Sequence, residues 1–501
     1  MLDLDLLISG FKVVLTPSTL LLVIIANIVG VIFGALPGIS SAMAMALVVP
    51  FTYVMDPVVA VVFLAATYCA SITGGGITAI LFKIPGTPSS AVTTFDGYPL
   101  AEQGRAGKAL GAALICSAIG GMVSALAMLL ISPQLAELGL KFGPSELFAV
   151  SFFGLSVLAS LNPDNQLKTL ASGLIGLFLA TIGLDPMNGD MRFTWGSVNL
   201  LGGIEMIPTM IGMFAVTEVF KQIVKPVVLK SINKNEKVKT EFLTLKELVA
   251  IKWTVIRSAI IGTIVGILPG AGSTIASFLS YGAEVKFSKT PERFGKGAIE
   301  GVVASETANN AATGGSMVPL LTLGIPGGNS AAIMMSALLL HGVQMGPIML
   351  KTQPIYLTST FASMFVANIF MVVVSVFVAK GFSKIRKVPY SLLGTAILVL
   401  AAVGSFSLQN STGDVLLMVL AGIFGYAFIK FGFTPSALIL GLVLGNLCEA
   451  NLRRAVALAD GSYVLAISKP ITITLLAISI TMMLIPVLSK HIKKRKINIG
   501  A

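Results

Sequence analysis

The chain has 501 residues, 55% of them hydrophobic and only 11% charged, with a mean hydropathy of +0.92; a soluble domain carries about 25% charged residues. That composition excludes a soluble globular domain and defines a polytopic helical membrane protein, embedded in a lipid bilayer. The formal net charge of +12 resides in loops and at the C-terminus, where it sets orientation in the bilayer and calls for no nucleic acid.

The N-terminus, MLDLDLLISG, is acidic where a signal peptide is basic, so it is expected to be retained. Charge-free runs follow at 13–55, 57–82, 109–136, 258–283, 307–350, 352–379, 388–413 and 470–489. At about 20 residues per helix they predict about ten to thirteen crossings. The first run contains Gly34-Ala35-Leu36-Pro37-Gly38-Ile39-Ser40-Ser41, a break inside an otherwise uninterrupted apolar segment. Next come Thr73-Gly74-Gly75-Gly76-Ile77 and Ile84-Pro85-Gly86-Thr87-Pro88-Ser89-Ser90-Ala91. Cys69, Cys116 and Cys448 stand alone in apolar contexts and read as small buried hydrophobes.

All three motifs return in order. Gly266-Ile267-Leu268-Pro269-Gly270-Ala271-Gly272-Ser273 repeats GxLPG at an offset of 232, Thr313-Gly314-Gly315 repeats TGG at 240, and Ile325-Pro326-Gly327-Gly328-Asn329-Ser330 repeats IPG at 241. Matched interruptions in two halves are the mark of a repeat-built transporter. The expected organisation is a first transmembrane repeat over 1–225, a cytoplasmic linker over 226–250, a second repeat over 251–460, and a final helix with a basic tail over 461–501.

Loop charge indicates how the copies are related. Residues 221–257 hold nine Lys or Arg against Glu236, Glu241 and Glu247; Lys380, Lys384, Arg386 and Lys387 have no acidic neighbour, and Lys490, Lys493, Lys494, Arg495 and Lys496 end the chain. All three clusters point to the cytoplasm. The first copy's equivalent of the second cluster, 133–146, has only Lys141 against Glu137 and Glu146. Equivalent loops thus face opposite sides, and the expectation is an inverted repeat.

Irregular backbone at membrane depth is tolerated only where it is buried in protein or lines a watery cavity. A helix starting there offers free N–H groups and about half a positive charge, which attracts an anion without a lysine in lipid. The expected anion cradle is therefore Gly38, Ser40 and Ser41; Pro85, Gly86, Thr87 and Ser89; Gly270, Gly272, Ser273 and Thr274; and Gly327, Gly328, Asn329 and Ser330. Lys83, beside the first IPG, either contacts the anion or snorkels to an interface. Thr73, Gly74, Asn309, Asn310, Thr313 and Gly314 form the expected ion-coupling set, with oxygens suited to a hard cation such as Na⁺. The plainer reading of each Gly-rich element is close helix packing. His341 reads as a packing residue, and the charge-mixed stretches 96–108 and 284–306 as a solvated surface or a docking face.

The segments GALPGISSAMAMALVVPFT, ITGGGITAILFKIPGTPSSAVTTFDGYPLAEQGRAGKAL, GILPGAGS and SETANNAATGGSMVPLLTLGIPGGNSAA resemble the large membrane subunit of the tripartite tricarboxylate transporters. The resemblance covers roughly residues 31–348 and departs from the family at Lys83, commonly a neutral residue, and at Ser305, often proline. It implies cation-coupled uptake of a carboxylate, citrate or a dicarboxylate, across the inner membrane, with a periplasmic substrate-binding protein and a small membrane subunit. No enzyme activity and no cofactor beyond Na⁺ as coupling ion are expected.

The rival readings are a passive anion channel and an intramembrane enzyme; the latter would want a nucleophile with a base, or paired carboxylates, at membrane depth. Matched breaks favour alternating access by a moving block, an elevator. Cysteines placed singly at Leu138 and Ser383 should react with a membrane-impermeant reagent from opposite sides; labelling of both from one side would sink the inverted arrangement.

Overall fold

A computed structural model describes residues 4–36, 38–156, 165–185, 187–224, 240–270, 272–385 and 390–483. Pro37, Ala271, most of the linker, Arg386, Lys387 and the basic tail lie outside them, so the charges used to orient those segments are not described. In chain order the helices are α1 (Leu4–Leu15), α2 (Pro17–Ala35), α3 (Ser41–Thr52), α4 (Pro57–Phe82), α5 (Thr93–Glu102), α6 (Ala106–Gly139), α7 (Pro144–Ser156) and α8 (Gln166–Ala180). They continue with α9 (Met206–Ile211), α10 (Thr217–Val224), α11 (Leu245–Ala250), α12 (Lys252–Ile267), α13 (Gly272–Phe287), α14 (Ile299–Leu323) and α15 (Asn329–Leu340). The remainder are α16 (Pro347–Thr352), α17 (Ile355–Ile385), α18 (Tyr390–Gln409), α19 (Thr412–Lys430), α20 (Pro435–Leu458) and α21 (Tyr463–Ala466). A π-turn at Gly212–Val216 joins α9 to α10, and a two-residue hairpin pairs Gly183 with Arg192 and Leu184 with Met191.

Eight helices among the described residues are long and apolar enough to span a membrane, which makes the chain a polytopic helical membrane protein. Ser41–Thr52, Gln166–Ala180, Asn329–Leu340 and Pro470–Met483 are apolar but shorter. Two of these, α3 and α15, begin directly after a predicted break. The excess of predicted crossings thus arises partly where a long apolar run holds a half-length helix.

Local chemistry sets the ends. Proline at the first turn, where its missing N–H costs nothing, opens α2, α4, α16 and α20. Asp56 caps α4 through the Val58 N–H (2.9 Å), and Ser40 caps α3 through Met43 N–H (3.2 Å). The GxLPG breaks share one backbone path. α2 and α12 stop at extended Leu36 (φ −79°, ψ 120°) and Leu268 (φ −74°, ψ 119°), and Gly38 (φ +87°) and Gly270 (φ +77°) follow in the left-handed region.

The TGG elements correct the expectation of a break. α4 runs unbroken through Gly74–Gly76 and α14 through Gly314–Gly315. These glycines let backbones approach: a Cβ on Gly74 would lie 2.5 Å from Val31 O, one on Gly315 would meet Thr263 O, and one on Gly314 would meet Ser124. Small residues serve this purpose in membrane helices, and the helix keeps its own hydrogen bonds in a medium that offers no others.

α4 and α14 form the centre. The best spanning stretch of α4 is 89% buried, against 33% for α18 and α19. Within each copy α2 packs on α4 and α12 on α14; between copies α6 packs on α14 and α17 on α4. Asp96, expected on a solvated stretch, is instead 1% exposed. Its Oδ1 accepts from Gly295 N–H (2.8 Å), Gly297 N–H (2.9 Å) and Ala298 N–H (2.8 Å), and its Oδ2 from Tyr281 O–H (2.8 Å), which clamps α5 to the loop before α14. Glu284, also buried, pairs with Arg257 and accepts from Thr254 O–H (2.9 Å).

Asp185, outside the spanning helices, pairs with Arg453 of α20 beside an Arg192–Glu449 pair and accepts from Met187 N–H at 2.8 Å. Hydrogen bonding from Arg453, then from Met187, holds its carboxyl down at about 2. A depressed folded value means the pair stabilises the fold above the ordinary carboxylate value and loses that contribution as pH falls toward the folded one. The melting temperature of wild type should therefore drop more steeply than that of Asp185→Asn between about pH 4 and about pH 2; parallel curves would refute the pairing.

Candidate anion cavity

The breaks of both copies open into one cavity of about 590 Å³, within the range of sites for small molecules. It is lined by Gly38, Ser40 and Ser41; by Pro85, Gly86, Thr87 and Ser89; by Gly270, Gly272, Ser273 and Thr274; and by Gly328, Asn329 and Ser330. Five helical segments start at its wall: α3, α13, α15, α20, and the 3₁₀ turn Pro88–Ala91 that runs on toward α5. Ser41 Oγ and Ser330 Oγ, 2.6 Å apart, tie a break of copy one to a break of copy two. Thr87 Oγ1 lies 3.1 Å from Ser89 Oγ, and Asn329 Nδ2 donates to Ser436 Oγ at 2.8 Å.

Gly86 and Gly327 hold the IPG turns in place by equivalent contacts. A Cβ on Gly86 would collide with Gly34 O, and one on Gly327 would lie 2.6 Å from Gly266 O, the glycine at the same place in the other copy. Gly86 N–H donates to Gly75 O (3.2 Å), and Gly270 N–H donates to Gly327 O (3.0 Å). Gly327 is therefore packed behind the lining rather than within it.

Lys83 is not among the lining residues. It ends α4 in the left-handed region (φ 59°, ψ 22°), as Gly324 ends α14 (φ 69°, ψ 29°), and its Nζ lies 5.3 Å from the centroid of the Tyr98 ring. The expected coupling residues also lie apart from the cavity lining, in a buried seam between helices. Thr73 Oγ1 is 2.7 Å from Ser117 Oγ; Asn310 Nδ2 donates to Ser117 O (2.9 Å) and Asn368 Oδ1 (2.6 Å); Thr313 O–H donates to Asn310 O (2.7 Å). Gly74 and Gly314 are packing points there. Asn309, on α14, faces Ser90 at 3.5 Å.

The sequence pattern does not single out Glu218 and Lys221 on α10, which line the cavity as an ion pair at 3.1 Å; by pattern Lys221 is only one of the orienting charges around the linker. Gly38 faces the same group: a Cβ there would strike Gln222 and Glu218. Thr434 and Ser436, at the start of α20, add hydroxyls to the wall. The signal for Glu218 and Lys221 is a charged (i, i+3) pair at the end of an apolar helix.

The sequence matches the tripartite tricarboxylate transporter TctA family over residues 20–440. The chain belongs to that family. It is a family of transporters rather than enzymes, and membership implies a tripartite system with a binding protein and a small membrane subunit. The chain is 38% identical over 490 residues, 97% of its length and 96% of the relative's, to an "Uncharacterized 52.8 kDa protein in TAR-I ttuC' 3'region" of Agrobacterium vitis. It is also 38% identical over 234 residues to an "Uncharacterized protein in TAR-II ttuC' 3'region" of the same organism, covering 47% of this chain and 97% of that one. No solved structure matches it significantly.

Gly328 is extended (φ −175°), and a Cβ there would have as its nearest contact Gly272 Cα at 3.7 Å, so a side chain would enter the cavity without straining the backbone. Gly328→Leu should therefore fold and melt within about 1 kcal/mol of wild type while losing transport; retained transport would remove this cavity from the pathway.

Proposed function

We propose that the chain is the large permease subunit of a binding-protein-dependent secondary transporter of the inner membrane, taking up a tri- or dicarboxylate with Na⁺ or H⁺. The observation that carries this reading is the convergence of five helical starts, two from the first copy and three from the second, on one hydroxyl-lined cavity whose single cationic lining residue among the described residues is Lys221. A carboxylate suits such a site. Helix N-termini supply partial positive charge and N–H donors, Ser and Thr add neutral donors, and Lys221 can exchange its Glu218 partner for substrate.

In this reading residues 1–225 and 251–460 are inverted copies, 226–250 a cytoplasmic linker and 461–501 the closing helix and tail. The IPG turns and α3 and α13 move as a block against the outer helices, exposing the cavity to each side in turn. Proteoliposomes holding the chain and its small subunit should accumulate labelled carboxylate only with binding protein and an ion gradient. Lys221→Gln should weaken apparent substrate affinity about tenfold, equivalent to about 1.4 kcal/mol. Downhill flux indifferent to gradient and binding protein would make the protein a channel instead.

A further inference from the structure

Glu306 is fully enclosed in the interior, on α14. Its Oε1 accepts a hydrogen bond from the Thr93 hydroxyl, which lies 3.1 Å from Ser305 Oγ. Ser90 and Asn309 face the same carboxylate. Two oxygens in this nest have no hydrogen-bond partner among the described residues, Glu306 Oε2 and Asn309 Oδ1, and both side chains are 0% exposed. They stand three residues apart on one face of α14. Across from them, Gly76 of α4 leaves the carboxylate its room, since a Cβ there would stand 2.9 to 3.1 Å from it.

An ionised carboxylate in such a place is costly unless a positive charge neutralises it. Among the described residues no Lys, Arg or His forms an ion pair with Glu306, and no cluster of acidic, His or Cys residues suited to a multivalent metal surrounds it. The nest supplies one negative charge, an amide oxygen and three hydroxyls that can turn their protons outward. Oxygen-only ligands with a single charge suit a hard monovalent cation. We propose that Glu306, with Asn309, Ser90, Thr93 and Ser305, binds the coupling Na⁺.

This assignment rests on the transport reading and adds the route by which ion and substrate are linked. Ser90 Oγ lies 3.2 Å from Thr87 Oγ1, and Thr87 Oγ1 lies 3.1 Å from Ser89 Oγ. Thr87 and Ser89 line the anion cavity while Ser90 faces the carboxylate. One 3₁₀ turn thus has an edge in each site. A cation that draws Ser90 inward fixes the helical start that receives the anion, and by linkage the anion tightens the cation equally.

The test uses the purified full-length chain with Na⁺ alone, titrated against choline at constant ionic strength, and reads thermal stability. Wild type should be stabilised saturably. Glu306→Gln should lose the response, and Thr93→Val, a milder change, should raise the half-saturating Na⁺ by about tenfold or more, as loss of a ligand-orienting partner does. No Na⁺ response in wild type, or equal responses in wild type and Glu306→Gln, would overturn the assignment. No carboxylate is present, so such a failure leaves the transport reading intact. An intact Na⁺ response without carboxylate uptake would sink the transport reading instead.

Discussion

Backbone N–H and C=O groups released from a helix inside a membrane must find partners in the protein, because lipid offers none. Everything at the centre of this molecule follows from that demand. The IPG turns are satisfied by Gly86 N–H on Gly75 O and Gly270 N–H on Gly327 O, and the contact is close enough that only glycine fits at 86 and 327. Such turns need a rigid wall behind them. α4 and α14 provide it by remaining helical through their glycines, and each is enclosed by helices from both copies. With their backs held this way, the helical starts keep their N-termini open toward a common cavity.

Two buried carboxylates in this centre have opposite characters. Asp96 accepts from three backbone N–H groups and a tyrosine hydroxyl, so its charge is met by fixed dipoles and it acts as a clamp between the copies. Glu306 accepts from the Thr93 hydroxyl on Oε1, with Ser90 and Asn309 facing it, and its Oε2 has no hydrogen-bond partner among the described residues. Full satisfaction produces rigidity; an unmet buried acceptor leaves a place for something that comes and goes. The candidate anion cavity lies nearby, reached through Ser90 and Thr87, and positive helix ends on one side of that turn oppose a negative carboxylate on the other.

The sequence alone determined the class of protein, the matched GxLPG and IPG breaks and most of the cavity wall. Composition sufficed for the first, because a chain with so few charges cannot cover a surface that faces water on all sides. Proline and glycine at matched offsets sufficed for the others: GxLPG and IPG restrict backbone torsions locally, and the torsions at Leu36 and Leu268, Gly38 and Gly270, and Lys83 and Gly324 duly repeat. Tertiary structure alone decided what depends on the neighbour. TGG is a packing surface rather than a break because α2, α6 and α12 press against it. Lys83 points its ammonium at Tyr98, while Lys221, read as an orienting charge, lines the cavity. Asp96 lies inside, held by a loop some 200 positions away in the chain, and Glu306 faces Thr93 of α5 and Ser90 of the preceding 3₁₀ turn, which no local pattern could have brought to it. Torsion preferences are a property of a few consecutive residues, whereas the partner of a buried charge is set by which distant helices pack together.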